Sequence, residues 1–387
     1  MSNPFTVYLT LLCHRSIISY PYQIAKFFIY ISQKNLTLKH LLCTHLHIDH
    51  IWGNRFGYGA RFEEAFRLLG SIGLSMAGII CLAPLLSAGL GKIVVPLFRL
   101  FGFDPGMFGS ILAIDMGGYQ MAMDLAADPQ IGRFAGIIVS AIFGCTIVFT
   151  IPVGMGALGE ADRPYFIKGI LLGLSSMPIG ILAGGLVCGL TLKALLWHCL
   201  PVFLVSAGLF AGLLKQTEGM TRGFRKFAAG IQKLSIFGLM AGAIQYMTGR
   251  TLLPGIIPLE EAMEVVCSIA IVMLGSMPLA QLLQLLLKRP FCWIGRHTGL
   301  NQDSTTGILI GAVSVVPALA MVPRMDNRGK VVIGAFVVCG ASTFAAHLGF
   351  VLSTEPQLAT ALVTAKLLGG LAGIVIALAA TKKQPQM

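Results

Sequence analysis

Asp104–Asp128 reads DPGMFGSILAIDMGGYQMAMDLAAD, an apolar stretch with a carboxylate, Asp115, at its middle. A carboxylate at bilayer depth costs roughly 2.5–3.5 kcal/mol on insertion scales, so one retained there faces a bundle interior or a polar cavity. Gly117 and Gly118 follow it directly. Each weakens a helix by about 1 kcal/mol, which predicts a break that frees backbone carbonyls beside the carboxylate and so makes a candidate cation site. The plainer alternative is a protonated or internally paired Asp115 on an ordinary helix.

The rest of the chain places that stretch in a membrane. It has 387 residues, 56% apolar and only 11% charged, and its mean hydropathy is +0.81. That excludes a soluble globular domain and implies an all-α polytopic membrane protein whose surroundings are the lipid bilayer. The net charge of +12 is carried by Lys and Arg in short loops between apolar spans, where topology accounts for it and no nucleic acid partner is implied. Nine cysteines form no CxxC pair and fall mostly inside apolar runs, so no disulfide framework is read.

The sequence repeats itself. Glu63–Leu86 set on Glu260–Leu283, 197 residues later, gives eleven identities in 24 pairs, against roughly three or four for apolar composition alone. Arg99 then falls on Arg296, Gly102 on Gly299 and, after a one-residue slip, Gly109 on Gly307. The Asp115–Gly118 break lies opposite Val313–Pro317, a second interruption made by proline. Full spans are expected at about 68–90, 134–155, 169–190, 195–214, 234–253, 265–287, 331–352 and 358–380. If the two interrupted segments each enter and return on one side, eighteen Lys and Arg fall in cytoplasmic loops. Five, Lys92, Arg99, Arg133, Lys193 and Arg250, fall outside. Five full spans then separate the starts of the two copies, which predicts inverted repeats with discontinuous, re-entrant helical hairpins, the signature of secondary transporters. The domain reading is an atypical tail at 1–54, a first transmembrane repeat at 55–193, connecting spans at 194–259 and a second repeat at 260–387.

The tail contains LLCTHLHIDH at Leu41–His50. As a local string, His45, His47, Asp49 and His50 resemble the HxHxDH zinc signature of the metallo-beta-lactamase superfamily. That family completes its site with further His and Asp residues on a soluble four-layered domain, whereas here the chain enters the membrane by Leu68. A membrane-anchored zinc hydrolase is therefore the reading from a different class, and a chance match, a fusion remnant or a misread gene start are its competitors.

Several separate motifs occur in one order: FEEAFRLLG at 62–70, LAPLL at 82–86, the Asp115 segment, TIVFTIPV at 146–153, MPIG at 177–180, MDNRGKV at 325–331, HLGF at 347–350 and KLLGG at 366–370. From about Asn54 to Ala380 they resemble the ethanolamine utilisation transporter family, EutH. The chain departs from the family pattern at Ala346, where an acidic residue often precedes HLGF, and at Val315 and Val316, where polar residues precede the proline. The resemblance implies a bacterial inner-membrane permease for ethanolamine, not an enzyme, with no cofactor of its own. Transport of another small polar solute on the same fold is the alternative, and assembly into a homo-oligomer is left open.

Ethanolamine, mostly protonated near neutral pH, calls for one negative charge, carbonyl acceptors for its remaining N–H groups and a polar partner for its hydroxyl. Asp115 is the expected ammonium partner, with carbonyls around Met116, Gly117 and Gly118 completing the shell. Thr146 and Ser314 are candidates for the hydroxyl, and Tyr119 for a cation–π face, with packing as its plainer role. His347 is a candidate proton relay or a structural histidine. Lys366 is either a counter-charge to Asp115 or a side chain that snorkels to the interface. No nucleotide-binding loop is present to support pumping by ATP.

Overall fold

The computed structural model of the chain describes residues 58–112 and 115–381, and among these every regular element is helical. The tail string His45, His47, Asp49 and His50 lies outside the described residues. A long helix α1 (Tyr58–Leu100) leads into a hairpin of α2 (Met107–Ile111), a 3-10 turn at Asp115–Gly117 and α3 (Gly118–Leu125). The next crossing is one continuous column, α4 (Pro129–Phe134), π-helical windings at Ala135–Gly144 and Thr146–Thr150, and α5 (Ile151–Ala157). Then come α6 (Arg163–Val187), α7 (Leu192–His198), α8 (Leu200–Lys215) and α9 (Thr217–Thr248). A second long helix, α10 (Leu259–Thr298), precedes the hairpin α11 (Gln302–Gly311) and α12 (Val315–Met321). The chain closes with α13 (Asn327–Gly340), α14 (Ala346–Thr354) and α15 (Ala359–Ala380).

Five helical stretches, Met76–Leu100, Pro129–Ala157, Arg163–Val187, Thr217–Thr248 and Pro356–Ala380, are long and apolar enough to cross a bilayer. The α7–α8 pair, bent by 51°, makes a sixth if taken as one span. Large apolar side chains such as Leu204, Phe237, Met240 and Val375 point outward, as a lipid-facing surface requires. The all-α membrane class expected from composition is the one observed.

At the centre, α6 packs on α13 and α15. Lipid offers no hydrophobic drive for helix association, so close backbone approach through small residues takes its place. A Cβ on Gly180 would lie 2.6 Å from the carbonyl of Ala365 and 3.0 Å from the Cα of Gly369, so this contact tolerates no larger residue.

Hydrogen bonds close both hairpins at their mouths. In the first, Asp104 Oδ1 accepts from the N–H of Gly106 at 2.7 Å and Oδ2 from that of Asp128 at 2.9 Å. In the second, Asp326 Oδ1 accepts from the N–H of Asn301 at 3.0 Å and from Ser304 Oγ at 2.7 Å, and Asn301 Nδ2 donates to the carbonyl of Arg324 at 3.0 Å. Each hairpin therefore enters and leaves on one side. The two mouths sit at opposite ends of α6. Beyond its C-terminus the Cys188 carbonyl accepts from Gln130 Nε2 at 2.9 Å, beside the first mouth. Before its N-terminus Asp162 pairs with Lys330 at 2.7 Å, beside the second. At 25 residues and about 1.5 Å per residue, α6 separates them by roughly 37 Å.

Three expectations need correcting. The break near Asp115 does not fall at the glycines: Asp115 itself takes the left-handed conformation, φ 54°, while Gly117 is right-handed and N-caps α3. The span expected at 331–352 is interrupted, because α13 stops at Gly340, Ser342 is left-handed at φ 53° and α14 starts only at Ala346. Gly340, Ser342 and Thr343 carry the polar groups and conformational freedom that make this possible. The span expected at 195–214 bends at Cys199, just before Pro201, whose ring cannot continue a helix from the preceding turn.

Candidate functional site

Both hairpin tips converge on the break between α13 and α14. From the second hairpin, the carbonyl of Gly311 accepts from the Ser342 N–H and that of Ala312 from the Phe344 N–H, each at 3.0 Å. These two bonds hold the broken backbone that carries His347 at the start of α14. From the first hairpin, Asp115 Oδ1 lies 3.1 Å from His347 Nε2. A left-handed Asp beside a left-handed Ser concentrates backbone strain, and such strain persists only where surrounding contacts impose it.

The carboxylate of Asp115, the thiol of Cys145 and the imidazole of His347 have polar atoms within 4.8 Å of one another. By donor type such a trio suits a cation, yet the buried Lys366 in electrostatic reach makes it a poor place for a divalent one. His347 is 2% exposed and Lys366 fully buried, whereas the Asp115 side chain retains 20% exposure, so the carboxylate is the part of the cluster open to an arriving solute. Lys366 Nζ donates to the carbonyl of Ala141 at 2.7 Å. It does not snorkel. The carbonyl comes from the π-helical winding, whose wider turn turns some backbone acceptors away from the helix axis; such windings are frequent at functional sites.

Among the described residues, two buried polar atoms here have no partner, Ser140 Oγ and His347 Nδ1. A Cβ on Gly118 would sit 3.4 Å from Ser140 Oγ and 2.9 Å from the carbonyl of Gly109. Gly118 therefore serves close packing of the returning limb onto Ser140. Sequence alone does not single out Ser140, Ala141 or Cys145. A hydroxyl, a thiol or a carbonyl inside an apolar helix carries no pattern of its own.

The other expected site residues are placed as follows. Gly117 N-caps α3 and Gly118 begins it, which commits their carbonyls to the helix, and Met116 packs half-buried against the core. Tyr119 donates its hydroxyl to Glu355 Oε1 at 2.8 Å and meets the Phe350 ring edge-on at 5.9 Å, joining the returning limb to α14 on the side of the first mouth. Thr146 Oγ1 is buried and lies 2.7 and 2.8 Å from the carbonyls of Ile142 and Val338, so its single proton is already shared between two protein acceptors. Ser314 is half-buried in extended backbone before α12 and its side chain makes no cap bond. The structure brings Asp115 and His347 together and leaves Lys366 in electrostatic reach of them. Thr146 and Tyr119 are tied to protein partners.

A cavity of about 300 Å³ is lined by Ile111 of the first hairpin and by Ile147, Leu209, Met220, Phe224 and Phe227 among others. Its apolar lining gives a small cation nothing to hold.

The profile of the family described as "Ethanolamine utilisation protein, EutH" matches residues 36–380, so it begins upstream of Asn54 and takes in the His45–His50 string. A Listeria monocytogenes protein named "Probable ethanolamine permease EutH" is 40% identical over 330 residues, 85% of this chain and 88% of that one. An Escherichia coli protein of the same name is 33% identical over 353 residues, 85% and 86% of the two chains. The Bacillus subtilis protein YxeR is 39% identical over 323 residues, covering 83% and 87%. No solved structure matches the chain.

Proposed function

The chain belongs to the ethanolamine utilisation protein EutH family, a family of transporters rather than enzymes, and from that premise we propose that it carries ethanolamine across the bacterial inner membrane. The observation that carries the reading is the Asp115–His347 pair, a partly open carboxylate held where both hairpin tips meet one helix break. A small ammonium needs one negative charge and a few acceptors in a confined place. Asp115 supplies the charge, and His347 Nδ1 and Ser140 Oγ are buried polar atoms without a partner among the described residues.

Hairpin mouths at opposite ends of α6 support an inverted arrangement in which the first opens outside and the second to the cytoplasm, as the loop charges require. The substrate then reaches Asp115 from outside along the seam of α3 and α14, past Tyr119 and Glu355, and leaves past the second hairpin. His347 holds the carboxylate in place: with its Nε2–H donated to Asp115, its Nδ1 becomes an acceptor.

The test is uptake of radiolabelled ethanolamine into proteoliposomes of the purified protein. Saturable uptake above that of protein-free vesicles, competed by unlabelled ethanolamine, is expected. Uptake of a different small polar solute with no competition by ethanolamine would replace the substrate and keep the fold.

A further inference from the structure

Lys366 has no part in holding a cation, yet it is the largest charged group buried in the core. Among the described residues no carboxylate lies within salt-bridge distance of it, and its one hydrogen bond goes to the carbonyl of Ala141. Resting on the reading that a substrate ammonium binds at Asp115, we propose that Lys366 is the proton carrier of the transport cycle: it and the substrate take turns as the cation that offsets Asp115.

A buried ammonium persists only where a negative charge offsets it. Among the described residues, the titratable groups in electrostatic reach of Lys366 are Asp115 from the first hairpin, Cys145 from the π-helical column, Cys339 from α13 and His347 from α14. From α6 the facing stretch, 171–184, has no titratable side chain. Asp115 is the one carboxylate in that set. A second cation arriving at Asp115 leaves two positive charges on one negative charge inside the bundle, and the cheapest remedy is loss of a proton from the lysine. Its partner permits this. A carbonyl accepts from a neutral amine as well as from an ammonium, only more weakly, so the Ala141 bond is kept in both states, whereas an ion pair to a carboxylate would oppose discharge far more strongly.

The step balances. The Asp115 carboxylate with Lys366–NH3+ and an incoming substrate–NH3+ become the carboxylate with substrate–NH3+, Lys366–NH2 and one proton, which leaves on the side from which the substrate came. On the other side the substrate departs and Lys366 takes up a proton. Loaded and empty carriers are then both neutral across this cluster. Each ammonium moved inward exports one proton, and the net cargo is the neutral amine.

The experiment uses proteoliposomes with labelled ethanolamine, an external pH indicator and a potassium diffusion potential. For the wild-type protein we expect one proton released outside per ethanolamine taken up, and a rate unchanged by an inside-negative potential. Lys366→Gln removes the carrier, so uptake should release no proton and become voltage-driven, with accumulation approaching about 50-fold at −100 mV. Lys366→Arg keeps a charge that cannot be discharged and should abolish uptake. Wild-type uptake that carries one positive charge per substrate without proton release overturns the proposal and leaves ethanolamine transport standing. So does Lys366→Gln uptake that stays proton-coupled or indifferent to voltage. Absence of saturable wild-type uptake overturns the underlying reading instead. If Lys366→Gln fails to fold, wild-type uptake that carries charge without proton release still overturns the proposal.

Discussion

At its mouth the hairpin α2–α3 is closed by Asp104 and Asp128; 197 and 198 residues later, the hairpin α11–α12 is closed by Asn301 and Asp326. The helices after the mouths start alike, with Asp128 capping Gln130 and Asp326 capping Gly329. The glycines that end the two long helices, Gly102 and Gly299, have φ of 71° and 75°. The tips share none of this. The first presents Asp115, and the second presents the backbone carbonyls of Gly311 and Ala312 to the break that carries His347. The chain must satisfy its backbone groups where it turns back in either hairpin, so the mouths stay alike. A tip answers only to what it meets: the first carries the charge, and the second supports the backbone that it faces.

Labelling sets the sharpest test of the mouths, because its outcome is all or none. A single cysteine placed near Asp326 should react only from the cytoplasm and one near Glu355 only from outside, in right-side-out against inverted vesicles. Labelling near Asp326 from outside would end the opposed-hairpin comparison.

The tips come next. Asp115→Asn keeps size and removes charge, and a buried charge left unpaired costs about 3–5 kcal/mol, so apparent affinity for ethanolamine should fall at least about 100-fold. Asp115→Glu should recover part of it. Ser314→Ala, at the second tip, should change KM by less than about threefold, within the usual effect of a surface-type substitution. Equal losses at the two tips would mean that the site is shared between them.

Smaller effects are expected at the caps. Asp326→Ala strips an acceptor from Asn301, Ser304 and Gly329, and Asp104→Ala one from Gly106 and Asp128. Each should destabilise by about 2–3 kcal/mol, read as a lower thermal midpoint in detergent, with KM of the surviving protein nearly unchanged. A midpoint lowered by only one of the pair would break the equivalence of the mouths. Replacing His45, His47, Asp49 and His50 with alanine should do least, leaving uptake within assay scatter; a large loss restored by zinc would make that string a metal site.

Hydropathy, the interruption of an apolar stretch and the repeat offset can be read along the chain, and the sequence by itself determined them. It placed the chain in a membrane, located both interrupted hairpins and marked Asp115 as the exceptional carboxylate. The tertiary structure decided what Asp115 meets. His347 lies 232 positions away in the chain, and the α13–α14 break that delivers it follows a run, Val331–Gly340, as apolar as any unbroken span. Burial of Lys366, the bonds that occupy Thr146 and the unpartnered hydroxyl of Ser140 depend on which face of each helix turns inward. In water, the polar face of a helix marks its outside. In lipid both faces are apolar, so rotation and depth are set by packing between helices, and only the folded bundle records them.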